Sequence, residues 1–392
     1  MRQFKRGYGI GVMGCVAAGM LVLAGAAPQP VSPAAAAQGL PDEGILAELK
    51  LFSKAIGAVE QAFVNDVTPR QLLYNAVKGM LAGLGDRYTE FIEPERFKLL
   101  QIQLKGEYAG IGAMLEIVDN FPLIRGVRPG SAAEKAGLVP GDKIIRINQV
   151  TTEGLPLTEV APQLRGEAGT SLVLTIRRAE QVFDIEVVRQ MIEIEAVKDV
   201  RMIGKKTGYL WLQAWQEKTV DQVSAAVEKL RAQGMRALII DLRNNDGGLL
   251  PMAVALAQSF LEEGQTIVSV SSKLKEQQKD YISEGEHGYA DLKLVILVNG
   301  RSASASEVFS AAMQDHKRAV LVGTKTFGKA SVQSLVPLDE DSAMKMTTAR
   351  YKSPLGRMID QVGLMPDFVI ENPEGGPDRQ VLKAMEILRK YM

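Results

Sequence analysis

Cysteine is nearly absent from this chain, with one residue in 392, at position 15. That scarcity excludes disulfides and thiolate zinc sites. No charge of one sign prevails, since Lys plus Arg and Asp plus Glu number 46 each. A balanced chain gives no reason to expect nucleic acid, which needs a basic face, nor a polybasic membrane surface. The composition also lacks the polar bias of disorder: 46% of residues are apolar and 23% charged, a globular mixture. At this length two or three domains are expected.

The first forty residues differ from the rest. Arg2, Lys5 and Arg6 precede an apolar, Gly/Ala-rich run from Ile10 to Ala27, and a Pro/Ala segment ends in Ala35-Ala36-Ala37. A positive start, a short apolar stretch and a small-residue cleavage site are the parts of a secretory signal. Residues 1–37 are therefore expected to be a signal peptide. The exported chain would reside in the periplasm or outside the cell, and it would carry no cysteine, because Cys15 lies inside the run. The competing reading is an uncleaved anchor, since the run is just long enough to span a bilayer.

Three regions follow. Residues 38–105 read as helical: Ile45, Leu49, Ile56, Val59 and Phe63 recur at three- and four-residue spacing. Thr68-Pro69 is an N-cap with proline at the first helical position, opening a helix that ends at Gly85. Residues 106–191 read as a compact α+β module, with strands at 113–118, 123–127, 143–147, 171–177 and 183–188 and helices near 131–136 and 157–164. Residues 192–372 alternate apolar strands (208–212, 237–240, 266–270, 294–298, 320–322) with helices of 10–15 residues. That pattern argues for βαβ units with buried parallel strands. Ser271–Asp291 is polar and reads as a long surface loop. A helix within 373–392 closes the chain.

The chemistry concentrates after the strand 294–298. Asn299-Gly-Arg301-Ser302-Ala303-Ser304-Ala305-Ser306-Glu307 is a small-residue turn at a strand-to-helix junction. Such a turn can expose a nucleophile beside backbone N–H groups, although serines there more often cap the helix. A hydroxyl needs a base. The chain has two histidines: His287 lies in the polar segment, and His316 ends the helix that begins near Ser304, roughly 18 Å along its axis. Lysine is the other activator of serine, once burial lowers its ordinary value near 10.4. Lys329 stands between Gly328 and Ala330 after an apolar strand, and Gln333 follows four residues later, able to orient an amine without adding a negative charge.

Ser302-Ala-Ser304-Ala-Ser306-Glu307, Gln314-Asp315-His316, Thr326-Phe327-Gly328-Lys329, Val332-Gln333 and Thr347-Thr348-Ala349-Arg350-Tyr351 together resemble the catalytic signature of the carboxy-terminal processing (tail-specific) serine proteases. The resemblance covers nearly everything after residue 37. It implies a multidomain α/β and α+β chain: a helical N-terminal unit, a PDZ-like β-rich module and a βαβ protease core of the crotonase/ClpP-like kind. It implies that Ser304 is the nucleophile, Lys329, 25 positions on, the base, and Gln333 the residue that orients it. The turn Asp241-Leu-Arg243-Asn-Asn245-Asp-Gly247-Gly248 would place Gly247 or Gly248 in the oxyanion hole with Ala305. Leu84-Gly-Asp86-Arg-Tyr88-Thr-Glu90-Phe91 resembles the family's turn in the helical region. Arg301 departs from the small or acidic residue common there. No metal or cofactor is implied.

Tyr108-Ala-Gly110-Ile111-Gly112-Ala113, with Val127-Arg-Pro-Gly130-Ser131-Ala132-Ala133 and Gly141-Asp142, resembles a PDZ domain. Residues Gly110, Ile111, Gly112 and Ala113 would then be a carboxylate-binding loop for peptide C-termini. Arg165 reads either as a link between module and active site or as an exposed charge. Expected partners are protein or peptide substrates held by their C-termini. A regulatory adaptor and self-assembly through the helical segments are the further expectations.

Overall fold

The structure, a computed structural model, describes residues 43–285 and 288–390. The expected signal peptide and Cys15 fall outside the described residues, as does His287. Contacts divide the described chain into two units: residues 43–99, 201–215 and 230–390 form one, and residues 100–200 with 216–229 the other.

The elements run as follows. The N-terminal part holds α1 (Glu43–Ala62), α2 (Pro69–Ala82), β1 (Glu90–Ile92) and α3 (Pro94–Lys105). The middle holds β2 (Glu107–Gly110), β3 (Ala113–Val118), β4 (Phe121–Val127), α4 (Ala132–Lys135), β5 (Lys143–Ile147), β6 (Val150–Thr151), α5 (Leu157–Leu164), β7 (Ser171–Arg178), β8 (Gln181–Val188), β9 (Gln190–Glu193) and β10 (Val197–Met202). Next come β11 (Thr207–Leu212), α6 (Thr219–Ala232), β12 (Ala237–Asp241), α7 (Leu250–Gln258), β13 (Thr266–Ser272), β14 (Lys279–Ile282), β15 (Lys293–Val298) and α8 (Ala305–Asp315). The chain continues through β16 (Ala319–Gly323), β17 (Ser331–Pro337), β18 (Ala343–Lys352), β19 (Phe368–Val369) and α9 (Arg379–Lys390).

In the smaller unit, β3-β4-β5-β7-β8 form an antiparallel sheet with β3 at one edge, and β2 pairs with β9 as a separate ribbon. Ile124, Ile144, Leu172, Leu174, Ile176 and Val187 bury its inner face, with Val160 and Leu164 of α5 in the same cluster. Asp142 is fully buried in the turn before β5. It accepts the Val139 N–H at 2.9 Å and two bonds from Arg178, at 2.6 and 2.8 Å. A buried carboxylate needs such partners.

In the larger unit, β11, β12, β15, β16 and β19 lie side by side and parallel. All of β12, Ala-Leu-Ile-Ile-Asp, is buried, as a strand covered on both faces must be. One face packs Ala237, Ile239, Val295 and Leu297 against Ala384, Ile387 and Leu388 of α9. Arg243, just past β12, bonds Asp378 at 2.8 Å and the Gln380 side chain at 2.9 Å, pinning the start of α9. On α8, Phe309 meets Trp215 at 5.6 Å and Phe260 at 6.0 Å between ring centres. A second, antiparallel sheet joins β1, β18, β13 and β14, with β17 also on β18.

The helical N-terminal part packs with the larger unit. Thr68 caps α2 as expected, accepting the Gln71 N–H at 3.2 Å. The strand β1 then pairs with β18, and Phe91 packs on Tyr74 of α2 at 4.7 Å. Residues 43–99 thereby join the larger unit. The polar segment 271–291 is not one long loop either, because β13 runs on to Ser272 and β14 pairs antiparallel with it. An edge strand with one solvated face reads as polar in sequence. On α1, Ile45, Leu49 and Val59 give the helical period yet are exposed.

Gly323 ends β16 with φ +142, and a Cβ there would stand 1.9 Å from the Val298 carbonyl oxygen of β15. Gly323→Ala is expected to cost about 3 kcal/mol or more, lowering the melting midpoint by on the order of 10 °C. Thermal unfolding followed by circular dichroism measures this.

Candidate active site

Two turns at the C-terminal ends of adjacent parallel strands build the site. One follows β12 (residues 242–248), and the other follows β15 (residues 299–304). Asn299 accepts the Asn244 N–H at 3.0 Å through Oδ1 and donates Nδ2 to the Asn244 side chain at 3.0 Å. Ala303 N–H reaches the Asn245 carbonyl at 3.0 Å. Fully buried Asn245 donates its amide to the Leu212 carbonyl at 2.9 Å.

The three serines separate by what their hydroxyls do. Ser302 donates to the Leu242 carbonyl at 2.8 Å and accepts the Asn299 N–H at 2.9 Å. Ser306 donates to the Asn245 carbonyl at 3.1 Å and accepts the Trp215 indole N–H at 2.9 Å. Both are fully buried. Ser304 is half-buried at the junction with α8, with φ +55 and ψ −117. That is glycine territory for an L-residue and costs on the order of 1–3 kcal/mol. The strained strand-turn-helix corner is the geometry that presents a nucleophile.

Glu307, fully buried on the first turn of α8, offsets that strain. Its carboxylate accepts the Ser304 N–H at 2.9 Å and the Lys329 N–H at 2.9 Å on one oxygen. The other accepts the Gly328 N–H at 2.8 Å and the Thr326 hydroxyl at 2.5 Å. Burial pushes its pKa upward, and these four donors oppose the rise. Bonds to a charged acceptor contribute about 1.5–3 kcal/mol each, so the set can hold the corner. The signal was legible: Ser304-x-x-Glu307 has capping-box spacing, in which the glutamate reaches back to the N-cap amide.

Lys329 follows β16 in the loop to β17 and is half-buried. Burial lowers its value from the ordinary lysine range. Lys345 and Arg87 lower it further by repulsion, against Asp246 and Asp86. Its Nζ lies 4.8 Å from the centre of the Tyr88 ring. Among the described residues it makes no hydrogen bond to Ser304 or to Gln333. The Gln333 amide instead donates to Ser331 Oγ at 2.8 Å and Thr347 Oγ1 at 3.3 Å. Fully buried Tyr351 donates to the Lys329 carbonyl and lies within hydrogen-bonding reach of the Ser304 side chain. Burial drives that phenol well above its usual value, the Glu307 charge adds to the rise, and the Ser304 contact opposes it. In the sequence Tyr351 is only part of a motif, because a tyrosine on an alternating strand carries no local sign of such contacts.

The two glycines differ. A Cβ on Gly247 would stand 2.8 Å from Ser304 Cβ and from the Ala303 carbonyl oxygen. Its N–H, however, is committed to Asn245 Oδ1 at 3.0 Å. The N–H groups of Gly248 and of Ala305 have no protein acceptor among the described residues. His316 sits at the far end of α8, its Nε2 2.7 Å from the Thr266 carbonyl.

In the smaller unit, Ile111, Gly112, Ala113 and Leu115 line one side of a groove, and Leu157, Ala161, Leu164 and Arg165 the other. Gly110 ends β2 and Ala113 begins β3, so only Ile111 and Gly112 form the loop itself. Their carbonyls accept the Ala133 N–H at 2.7 Å and the Arg128 N–H at 2.9 Å. Their own N–H groups have no acceptor among the described residues. The Arg165 guanidinium lies 5.2 Å from the Tyr108 ring centre, at the groove.

Residues 206–370 match the model of peptidase family S41, and residues 123–178 match that of a PDZ domain. The chain is 36% identical to a carboxy-terminal-processing protease of Bartonella bacilliformis, over 83% of this chain and 76% of that protein. It is also 36% identical to a carboxyl-terminal-processing protease of Synechocystis sp., over 78% and 72%. Among solved structures, a photosystem II D1 C-terminal processing protease aligns with 82% of this chain and 92% of its own, at 29% identity and a TM-score of 0.47.

Removing the Glu307 carboxylate tests its place in the site. Glu307→Gln replaces one acceptor oxygen by a donor and is expected to keep the fold while lowering kcat on the order of 100-fold, the scale of a misplaced catalytic group. Steady-state proteolysis alongside circular dichroism checks both halves.

Proposed function

From a chain that belongs to peptidase family S41 and is a carboxy-terminal processing serine protease with a PDZ domain, we propose a serine–lysine mechanism in which Ser304 is the nucleophile and Lys329 its base. The observation that carries this reading is the strained Ser304 corner, joined to Lys329 through one carboxylate while the neighbouring serines are committed to backbone bonds. Neutral Lys329 takes the Ser304 proton as Oγ bonds to the scissile carbonyl carbon. The oxyanion is held by the N–H groups of Ala305 and Gly248, while Gly247 allows close approach. The lysine then gives its proton to the departing amine nitrogen as the C–N bond breaks. Water, deprotonated by the Lys329 amine, then adds to the acyl carbon; the bond from that carbon to Ser304 Oγ breaks, and the lysine returns the proton to Oγ. Gln333 orients the lysine through its amide oxygen once substrate draws the site together, since catalytic hydrogen bonds are often long without substrate.

The substrate's C-terminal tail adds as a strand along the free edge of β3, its carboxylate on the N–H groups of Ile111 and Gly112. The chain acts as an endopeptidase on proteins near their C-termini, with the PDZ groove choosing and gating the tail. Export to the periplasm or cell exterior is part of the proposal and is supported by residues 1–37. Self-assembly, or a regulatory adaptor, is supported by the exposed apolar residues of α1.

Ser304→Ala and Lys329→Ala are each expected to abolish cleavage of an unstructured protein, and Lys329→Arg likewise, because arginine stays protonated. His316→Ala is expected to remain active. Activity surviving in purified Ser304→Ala would sink the assignment. Because burial and repulsion lower the Lys329 value, kcat/KM should climb with pH and level off below the ordinary lysine range, and a limb near pH 10.4 would contradict a perturbed base. For the groove, amidating a substrate peptide's C-terminus should weaken binding at least about tenfold, the scale of one lost charge-assisted contact, as calorimetry would read.

A further inference from the structure

The turn Gly85–Glu90 lies outside residues 206–370, yet its side chains reach the catalytic lysine. It is fastened in two steps. Asp86 accepts the Thr89 hydroxyl at 2.5 Å and the Tyr88 N–H at 3.4 Å. Thr89 Oγ1 in turn accepts the Thr347 N–H of β18 at 3.1 Å. Thr347 is also the residue that accepts Gln333. Burial alone would push the Asp86 carboxyl up, but hydrogen bonds from Thr347 and Thr89 outweigh it and hold the group below its ordinary range.

The fastened turn stacks four side chains. The Phe327 ring centre lies 5.5 Å from the Arg87 guanidinium carbon, that carbon lies 4.6 Å from the Tyr88 ring centre, and the ring centre lies 4.8 Å from Lys329 Nζ. Arg87 also donates to the Tyr88 hydroxyl. Arg87 is exposed, yet two rings hold its planar group, and no carboxylate pairs with it among the described residues. A salt-bridge partner would cancel its charge. Without one, the charge is left to repel the Lys329 amine on the other side of the Tyr88 ring.

We infer that this turn is a working part of the active site: Tyr88 seats the Lys329 amine, and Arg87 is a positioning residue that holds an unpaired positive charge beside it. The inference rests on Lys329 being the base. Repulsion between Arg87 and a protonated Lys329 favours the free amine, the form that accepts the Ser304 proton. Lys345 of β18 acts in the same sense, while Asp246 after β12 and Asp86 of the turn oppose it. Glu307 and Tyr351 meet the lysine through its backbone.

The test is the pH dependence of kcat/KM for the full chain on an unstructured protein. Removing the Arg87 charge removes a repulsion, so the lysine protonates more readily and the acidic limb moves to higher pH. Arg87→Gln should shift it upward and lower the acid-side rate several-fold more than the plateau rate. Arg87→Glu should shift it further, and Arg87→Lys, which keeps the charge, should bring it back. In about 1 M salt, where the screening length is about 3 Å, the difference between Arg87→Gln and the parent should shrink. Tyr88→Ala should lower kcat about tenfold or more with KM little changed. Superimposable limbs for the parent, Arg87→Gln and Arg87→Glu would overturn the inference. So would equal loss in Arg87→Gln and Arg87→Lys with the limb unmoved, or a Tyr88→Ala protein as active as the parent. Activity in Lys329→Ala would instead remove the base on which the inference rests, a separate readout.

Discussion

The carboxylate of Glu307 is the interaction on which the catalytic arrangement depends. Ser304 and Lys329 come from different turns, with a helix and a strand between them. A buried carboxylate is costly unless its lone pairs are filled, and the donors that fill these four positions are the amides of Ser304, Gly328 and Lys329 and the hydroxyl of Thr326. The group's own desolvation therefore draws the two segments together. At Ser304 and Lys329 the Glu307 carboxylate takes only the backbone amides, which leaves the Ser304 hydroxyl and the Lys329 amine clear of it.

That clamp explains why strain is tolerated at Ser304. A corner with φ +55 would relax in isolation. Here it is held from one side by Glu307 and from the other by the turn after β12, where Gly247 lies too close to Ser304 for any side chain. Charge is arranged around the same point. Lys329 is half-buried among cations and facing aromatic carbon, so protonation there is disfavoured by desolvation first and by like charge second. A glutamate kept off the lysine side chain is consistent with this, since a carboxylate beside the amine would favour the ammonium form.

Much of the fold was legible because its signals are local. Apolar runs such as 237–240 and 294–298, alternating with helical stretches, read as strands buried on both faces, and Thr68-Pro69 marks a helix start by chemistry that needs no partner. What was not legible depends on pairing. β1 and β14 are short or polar and become strands only because β18 and β13 offer them an edge. The helical period of α1 was visible, but period does not say what covers the apolar face, and on this chain much of it stays exposed.

The site divides along the same line. Residue chemistry alone left three serines open, and resemblance singled out Ser304. The structure adds a physical distinction, since the hydroxyls of Ser302 and Ser306 are tied to main-chain carbonyls. The glycine pair could not be resolved from sequence, because it turns on whether the Asn245 side chain captures the Gly247 N–H, a two-residue contact that depends on the whole turn. The 85–90 turn could be noticed as a motif but not assigned, because its reach to Lys329 depends on the Thr89–Thr347 bond across 258 residues of chain. A residue so far away in sequence reaches Lys329, the proposed base, only because β1 and β18 share a sheet. Residues 43–99 therefore belong to the unit that holds Ser304 and Lys329, and the surroundings of the Lys329 amine depend on how that N-terminal region packs.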